Sequence, residues 1–172
     1  MDTEKKLKVL KKIARRLNGA GVTWALGASL LLYLKGITDH FHDIDLMAEE
    51  EDAAAAKEIL LSMGELQPPN PNGKYKTKEF LEYIVDGVDV DLMIGFAIVE
   101  GERVHDCSLR REQISEFYSL EGEMIPMQSL RLWNSYYQWM GRSDKCRMIR
   151  EYLGVPVNGE PSRLNSYELL QI

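Results

Sequence analysis

Residues 24–47, WALGASLLLYLKGITDHFHDIDLM, decide the fold of this chain. The stretch reads as a strand, a Gly-Ala-Ser turn, a short apolar helix, a polar loop and a second strand that carries Asp43 and Asp45. Because side chains alternate between the faces of a strand, the two aspartates point one way while Ile44 and Leu46 point to a core. Their Cα atoms lie about 6.6 Å apart by strand rise. Two carboxylates at this spacing can bind one divalent cation or a pair of cations.

The turn that precedes the short helix indicates a second kind of site. Gly27 and Ser29 close the first strand and open the helix. A helix N-terminus offers free backbone N–H groups, which suit a phosphate. A metal site beside a phosphate site is what phosphoryl transfer requires.

Composition limits the function classes that remain open. The chain has 172 residues and a formal net charge of −6, which favours a single globular domain and argues against a non-specific nucleic-acid binder. No apolar run reaches the length of a membrane span. Cys107 and Cys146 are the only cysteines and are far apart, so they form no Cys-x-x-Cys zinc motif. Two free thiols fit a reducing cytosol, and we expect a cytoplasmic protein.

The order of predicted elements gives the fold class. Helical spacing of apolar residues in the first 19 residues predicts an amphipathic helix. The elements expected after it are a strand over 22–26, a helix over 30–34, a strand over 43–48, a helix over 49–63, a loop over 66–74, a strand within 75–85, a strand over 88–94 after a turn at Asp86-Gly87, and one or two strands within 96–104. Short strands mixed with helices predict an α+β fold, in which a small mixed sheet has helices packed on it.

The character of the sequence changes from Arg110, where aromatic residues and methionines cluster. We expect a loop around Pro126, then two helices that are separated at Gly141-Arg142-Ser143, then an irregular tail from Gly154 that includes Pro156, Gly159 and Pro161. The expected organisation is a core over residues 1–104 and a C-terminal helical segment over 105–172, packed together as one compact unit.

The spacing of the polar residues resembles that of a known family. Gly27-x-Ser29 is followed after thirteen residues by Asp43-x-Asp45, and a later apolar strand carries Val90-Asp91-Leu92. This pattern resembles the nucleotidyltransferase superfamily, which includes DNA polymerase β and the minimal, AbiE-type and lincosamide or aminoglycoside nucleotidyltransferases. The resemblance covers residues 24–94.

The resemblance implies a fold, a set of ligands and a role for each residue. It implies the nucleotidyltransferase fold, with two Mg²⁺ ions held by three carboxylates and an NTP such as ATP as substrate. Asp43 and Asp45 would ligate both ions, and a third carboxylate would hold one ion and orient or deprotonate the attacking hydroxyl. Gly27 would let the backbone approach the triphosphate, and Ser29 would donate a hydrogen bond to it.

Two aspartates compete for the third position, because Asp89 and Asp91 share one face of their strand. Asp91 is favoured, since its apolar flanks repeat those of Asp43 and Asp45, whereas Asp89 lies near the hairpin turn. Asp89 stays open as an additional site residue.

Other candidates carry less weight. His40 and His42 flank the aspartates and could ligate zinc, but the sequence offers no matching third and fourth ligands; His42 could instead face the nucleotide. The family often has Lys-Asp after Gly-Arg, whereas this chain has Asp144-Lys145, so Lys145 receives no role. The aromatics of residues 133–139 have helical spacing and are expected in the core.

The function expected from this resemblance is Mg²⁺-dependent transfer of an NMP from an NTP to a hydroxyl, with release of pyrophosphate. A small-molecule acceptor is favoured over nucleic acid, given the acidic charge, and no membrane partner is expected. The alternative is a non-catalytic protein of the same fold that acts in binding or as half of a toxin–antitoxin pair.

Overall fold

The computed structural model describes residues 2–71 and 73–155, and within these ranges the chain forms an α+β fold, as expected. The helices run α1 Thr3–Gly19, α2 Ala28–Leu34, α3 Ala53–Met63, α4 Leu130–Trp139 and α5 Ser143–Leu153. The strands run β1 Trp24–Leu26, β2 Ile44–Ala48, β3 Glu65–Leu66, β4 Glu79–Val85, β5 Val88–Ile94, β6 Ala97–Glu100, β7 Arg103–Asp106, β8 Glu116–Leu120 and β9 Glu123–Met127. The irregular tail expected at Pro156, Gly159 and Pro161 lies outside the described residues.

Seven strands form the main sheet, in the order β3-β4-β5-β2-β1-β9-β8. The sheet is mixed, because β2 pairs in parallel with β5 and β1 pairs in parallel with β9, while the other pairs are antiparallel. Strands β6 and β7 form a separate two-stranded ribbon. Neighbours β2 and β5 are separated by three intervening elements along the chain, so the sheet brings distant segments together.

The two faces of β2 and β5 differ in polarity, which follows from strict side-chain alternation. Ile44, Leu46, Val90 and Leu92 point to one face and are at most 1% exposed. Helix α3 contacts β4, and α1 contacts both α3 and β9. The apolar face is therefore part of the hydrophobic core, and the opposite face is left to carry the acids.

The amphipathic pattern of α1 is confirmed. Asp2 caps the helix by accepting a hydrogen bond from the backbone N–H of Glu4 at 3.0 Å. The residues that the helix buries lie three or four apart: Val9, Leu10, Ile13, Ala14 and Leu17. The turn at Asp86-Gly87 is also as predicted, with φ of 50° and 78° at the two residues, as a tight hairpin turn requires.

The region before α4 corrects the prediction. The loop expected around Pro126 is wrong, because Pro126 lies inside β9 and pairs with Phe117 of β8. The hairpin turns at Glu121-Gly122, where both residues have positive φ. Proline disfavours a strand because it lacks a backbone N–H. Here the segment is nevertheless a strand, because Ile125 and Met127 on either side of Pro126 are buried in the core.

The two C-terminal helices are where the sequence placed them. They are separated around Gly141, whose φ is 77°. Helix α4 buries Trp133, Tyr136 and Tyr137, each at most 4% exposed, as expected for core aromatics. The division into residues 1–104 and 105–172 stays a prediction, and the second part contains the β8–β9 hairpin as well as helices. No helix among the described residues is long and apolar enough to cross a membrane.

Candidate active site

Four aspartates lie together on the polar face of β2 and β5. The parallel register sets Asp45 directly opposite Asp91, and Ile44 opposite Val90. Asp43 lies just before β2, so the strand begins one residue later than predicted. Paired residues of neighbouring strands point to the same face, so the sheet brings together the carboxylates that the sequence places almost fifty residues apart.

Burial and neighbouring carboxylates raise the pKa of both central carboxyls. Burial raises the pKa of Asp45 well above its ordinary value, and the charges of Asp91 and Asp43 raise it further. Burial also raises the pKa of Asp91, to about 7, with added contributions from Asp43, Glu82 and Asp89. Neither Asp45 nor Asp91 forms an ion pair or a hydrogen bond through its side chain with any residue in the described ranges. The acids are thus held together without a protein cation between them.

Asp43 is in a milder environment. Burial raises its pKa, the charge of Asp89 raises it further, and His42 and Lys6 oppose the shift. Asp89 is exposed. Its charge raises the pKa of both Asp43 and Asp91 from the edge of the site.

The carboxylates face a cavity of about 370 Å³. Ser29, His42, Asp43, Asp45 and Asp91 line it, and Asp89 does not. This is where most of the predicted site residues meet. The geometry favours Asp91 over Asp89 as the third carboxylate.

The opposite wall of the cavity is aromatic and basic. Tyr75, Phe96, Trp133 and Tyr137 line it together with Met140. The rings of Phe96 and Trp133 stack with centroids 6.0 Å apart, and Trp133 also contacts Tyr137 at 5.3 Å. Aromatic residues from both parts of the chain thus form one part of the cavity lining.

Arg142 and Lys145 supply the positive charge that the sheet lacks, and both line the cavity. Arg142 donates to Asp144 at 3.3 Å, which raises the pKa of the guanidinium. Lys145 forms no ion pair with any residue among those described. Lys145 received no role from the sequence because its order with Asp144 departs from the family pattern. It lies in the first turn of α5 and lines the same cavity as the acids, which the pattern could not show.

The packing around Gly27 leaves no room for a side chain. The sequence did not reveal this. A Cβ built on Gly27 would lie 2.4 Å from Cζ2 of Trp133. Its backbone N–H donates to the carbonyl oxygen of Asp45 at 3.0 Å. Gln128, only 1% exposed, accepts a hydrogen bond from the Trp133 indole at 2.8 Å. Gly27 thus lets the indole pack against the end of β1, beside the main chain of Asp45.

The residue after Gly27 carries backbone strain. Ala28 begins α2 with φ of 53°, in the left-handed region that a residue with a Cβ rarely adopts. Ala28 and Ser29 both line the cavity. Strain of this kind is concentrated at functional sites.

The donor set fits a hard divalent cation. Carboxylate oxygens are the ligands that Mg²⁺ prefers, and a cation between Asp43, Asp45 and Asp91 would relieve the repulsion that raises their pKa values. In the described residues no three acidic, histidine or cysteine side chains are already grouped to hold a metal ion. His40 and His42, considered above as zinc ligands, belong to no such group among the described residues. His40 contacts Asp39 at 2.8 Å.

Comparison with solved structures identifies the fold. A candidate nucleotidyltransferase from Thermotoga maritima superposes with a TM-score of 0.69 at 28% identity, covering 90% of this chain and 96% of its own. ANT(2'')-Ia in complex with adenylyl-2''-tobramycin gives a TM-score of 0.59 at 14% identity, over 87% of this chain and 90% of its own. A nucleotidyltransferase-like antigenic protein from Paracoccidioides brasiliensis gives a TM-score of 0.56 at 14% identity, covering 99% of this chain and 88% of its own. No family model matches the sequence, and a search of curated proteins found no match.

Proposed function

We propose that this member of the nucleotidyltransferase superfamily moves a nucleoside monophosphate from an NTP to a hydroxyl of a small-molecule acceptor and releases pyrophosphate. One observation carries the proposal. Asp45 and Asp91 are paired in register on neighbouring strands, have no protein cation between them, and face Arg142 and Lys145 across one cavity. A divalent cation on one side and phosphates on the other would neutralise both sets of charges.

Each side chain has a proposed role. Asp43, Asp45 and Asp91 would hold Mg²⁺, which when bound polarises the phosphate and stabilises charge that develops in an in-line displacement. Lys145 and Arg142 would bind the phosphates, with Ser29 as a further donor. The wall of Tyr137 and Trp133 would limit the entry of water.

The reaction forms a bond between the acceptor oxygen and the α-phosphorus while the bond from that phosphorus to pyrophosphate breaks. Asp91 would orient the acceptor hydroxyl and take its proton, because it lines the cavity on the strand next to Asp45. A carboxylate must be ionised to accept that proton, and a cation bound between the acids would favour the ionised form. The pyrophosphate departs toward Lys145.

The location proposed for this reaction is the cytoplasm, where NTPs and Mg²⁺ are abundant and thiols stay reduced. Cys107 and Cys146 are both free and buried. Residues 1–104 would contribute the carboxylates and Ser29, and residues 105–172 would contribute Arg142 and Lys145.

A coupled pyrophosphate assay tests the proposal. Each of the four NTPs is incubated with the full chain, Mg²⁺ and a panel of small hydroxylated acceptors. The expected result is pyrophosphate release that needs Mg²⁺ and an acceptor, and that the double variant Asp43→Asn/Asp45→Asn lacks. Binding of NTP to wild type without release under any acceptor or metal condition would instead favour a non-catalytic binding protein of the same fold.

A further inference from the structure

Residues 35–43 connect α2 to β2 and include two side chains that line the active-site cavity, His42 and Asp43. At the start of this segment, the backbone N–H groups of residues 35–37 donate to carbonyl oxygens of α2. Residues 38–43 form no backbone–backbone hydrogen bond with any described part of the chain. The path of the chain into the strand that carries the acids therefore depends on side-chain contacts.

Phe41 packs the middle of this segment against the body of the protein. Its side chain is 5% exposed, and its ring centroid lies 4.9 Å from that of Tyr33 on α2. Asp43 follows only two residues later along the chain. A displacement of the Phe41 main chain would therefore also displace the carboxylate of Asp43.

The carbonyl oxygen of Phe41 accepts a hydrogen bond from a lysine of α1. The Nζ of Lys6, a half-buried residue, donates to it at 3.0 Å. The same ammonium group lies 5.0 Å from the centroid of the Phe41 ring, which is within the range of a cation–π contact. A hydrogen bond from a charged donor is roughly twice as strong as one between neutral groups. One side chain of α1 thus holds both the main chain and the ring of Phe41.

Lys6 differs from most of the lysines along α1. Lys8, Lys11 and Lys12 each form an ion pair with a carboxylate. Lys6 forms no ion pair with the residues described and makes its contacts with Phe41 instead. Its charge opposes the rise in the pKa of Asp43, although Lys6 does not line the cavity. The contacts of Lys6 therefore connect α1 to the entry of the acid-bearing strand.

We propose that Lys6 is a positioning residue for the active site. By holding the carbonyl oxygen and the ring of Phe41, it fixes the path of the backbone into β2 and thereby the place of the Asp43 carboxylate at the cavity. The proposal rests on the nucleotidyl transfer proposed above, in which Asp43 holds Mg²⁺. Lys6 has no direct part in that chemistry and acts through Phe41.

Three variants of the full chain separate the effect of position from that of charge. Lys6→Met keeps an unbranched side chain and removes the donor and the charge, whereas Lys6→Arg keeps both. Lys5→Met is the matched control, because it removes a charge from an exposed neighbour that forms no side-chain hydrogen bond or ion pair with the residues described. Binding of Mn²⁺, which suits the same carboxylate ligands as Mg²⁺, is measured by electron paramagnetic resonance. Pyrophosphate release gives kcat and the KM for ATP.

Lys6→Met should weaken Mn²⁺ binding about tenfold and lower kcat about tenfold, the low end for loss of a group that orients metal ligands. The KM for ATP should change little, because the proposed phosphate-binding side chains are intact. Lys6→Arg should restore both Mn²⁺ binding and kcat, and Lys5→Met should match wild type. The direction of the change separates the two effects, because loss of a positive charge near the acids would by itself tighten cation binding.

Unchanged or tighter Mn²⁺ binding in Lys6→Met, or an equal loss in Lys5→Met, would overturn the proposal. So would a lower melting temperature of Lys6→Met with Mn²⁺ affinity and kcat unchanged, since the contact would then serve stability alone. If wild type binds Mn²⁺ but releases no pyrophosphate, while Lys6→Met still weakens Mn²⁺ binding, the nucleotidyl transfer fails and the positioning of Asp43 stands.

Discussion

The sheet wall and the helix wall of the active-site cavity are opposites in charge and in the way they are held. On β2 and β5 the acids Asp45 and Asp91 repel each other and have no cation partner in the described chain. On α4 the aromatics pack against one another in the core, and the cations Arg142, just before α5, and Lys145, in its first turn, line the same cavity. The comparison teaches that the sheet wall carries uncompensated negative charge among the described residues, whereas the helix wall is held by the packing of its aromatic rings.

The largest effect is expected from the acids that the register pairs. Asp91→Asn should lower nucleotidyl transfer about 10³-fold, because it removes both a metal ligand and the proposed proton acceptor. Asp89→Asn, two residues away on the exposed edge, should lower it only a few-fold. Steady-state pyrophosphate release measures both variants. A larger loss of activity in Asp89→Asn than in Asp91→Asn would make Asp89 the third carboxylate. It would contradict a site that is centred on Asp45 and Asp91.

The contact between the two walls is tested at Gly27. Gly27→Ala should destabilise the fold by about 1–3 kcal/mol, the range for overpacking a core, because the new methyl group meets the buried Trp133 ring at 2.4 Å. Thermal unfolding with indole fluorescence reports both stability and the position of the ring. Gly19→Ala is the control, since no heavy atom lies within 4 Å of a Cβ there. Equal stability of the two variants would show that the walls are not held together at this point.

The helix wall is tested at Lys145. Lys145→Gln should raise the KM for NTP about tenfold, equivalent to about 1.4 kcal/mol, with a smaller change in kcat, because it removes a charged donor to the phosphates. Arg147→Gln changes the same charge on the same helix, but Arg147 does not line this cavity. If both variants raise KM equally, the effect is one of general charge and the helix wall has no specific phosphate contact.

The smallest effect concerns pH. The pKa of Asp91 is raised from 3.8 to about 7, so the folded chain binds this proton more tightly than the unfolded chain. The free energy of unfolding of the metal-free protein should therefore fall as pH rises from about 4 to about 7. The melting temperature should be lower at pH 8 than at pH 5. This fall should be larger in wild type than in Asp91→Asn, by on the order of a few degrees.

Addition of Mg²⁺ gives the complementary result. A ligand that binds the folded state raises the melting temperature, and the rise should be larger at pH 8, where the acids are ionised, than at pH 5. A rise that is independent of pH would mean that the cation does not bind to these carboxylates.

The sequence predicted the sheet wall better than the helix wall. Asp43, Asp45 and Asp91 were found because alternation along a strand is a local property that a short stretch of sequence carries. Lys145 was passed over because its place at the cavity depends on which segments become neighbours. The strand at Pro126 was missed for a similar reason, since burial of Ile125 and Met127 outweighed the local preference of proline.

By itself the sequence determined the α+β order of elements, the common face of each pair of aspartates and the amphipathic stripe of α1. Tertiary structure alone decided that β2 lies beside β5, that Trp133 packs against Gly27, and that Lys145 faces the acids. The physical reason is that periodicity along a chain fixes only the direction of a side chain. Its partner across a cavity is set by how the apolar faces of distant elements are buried together.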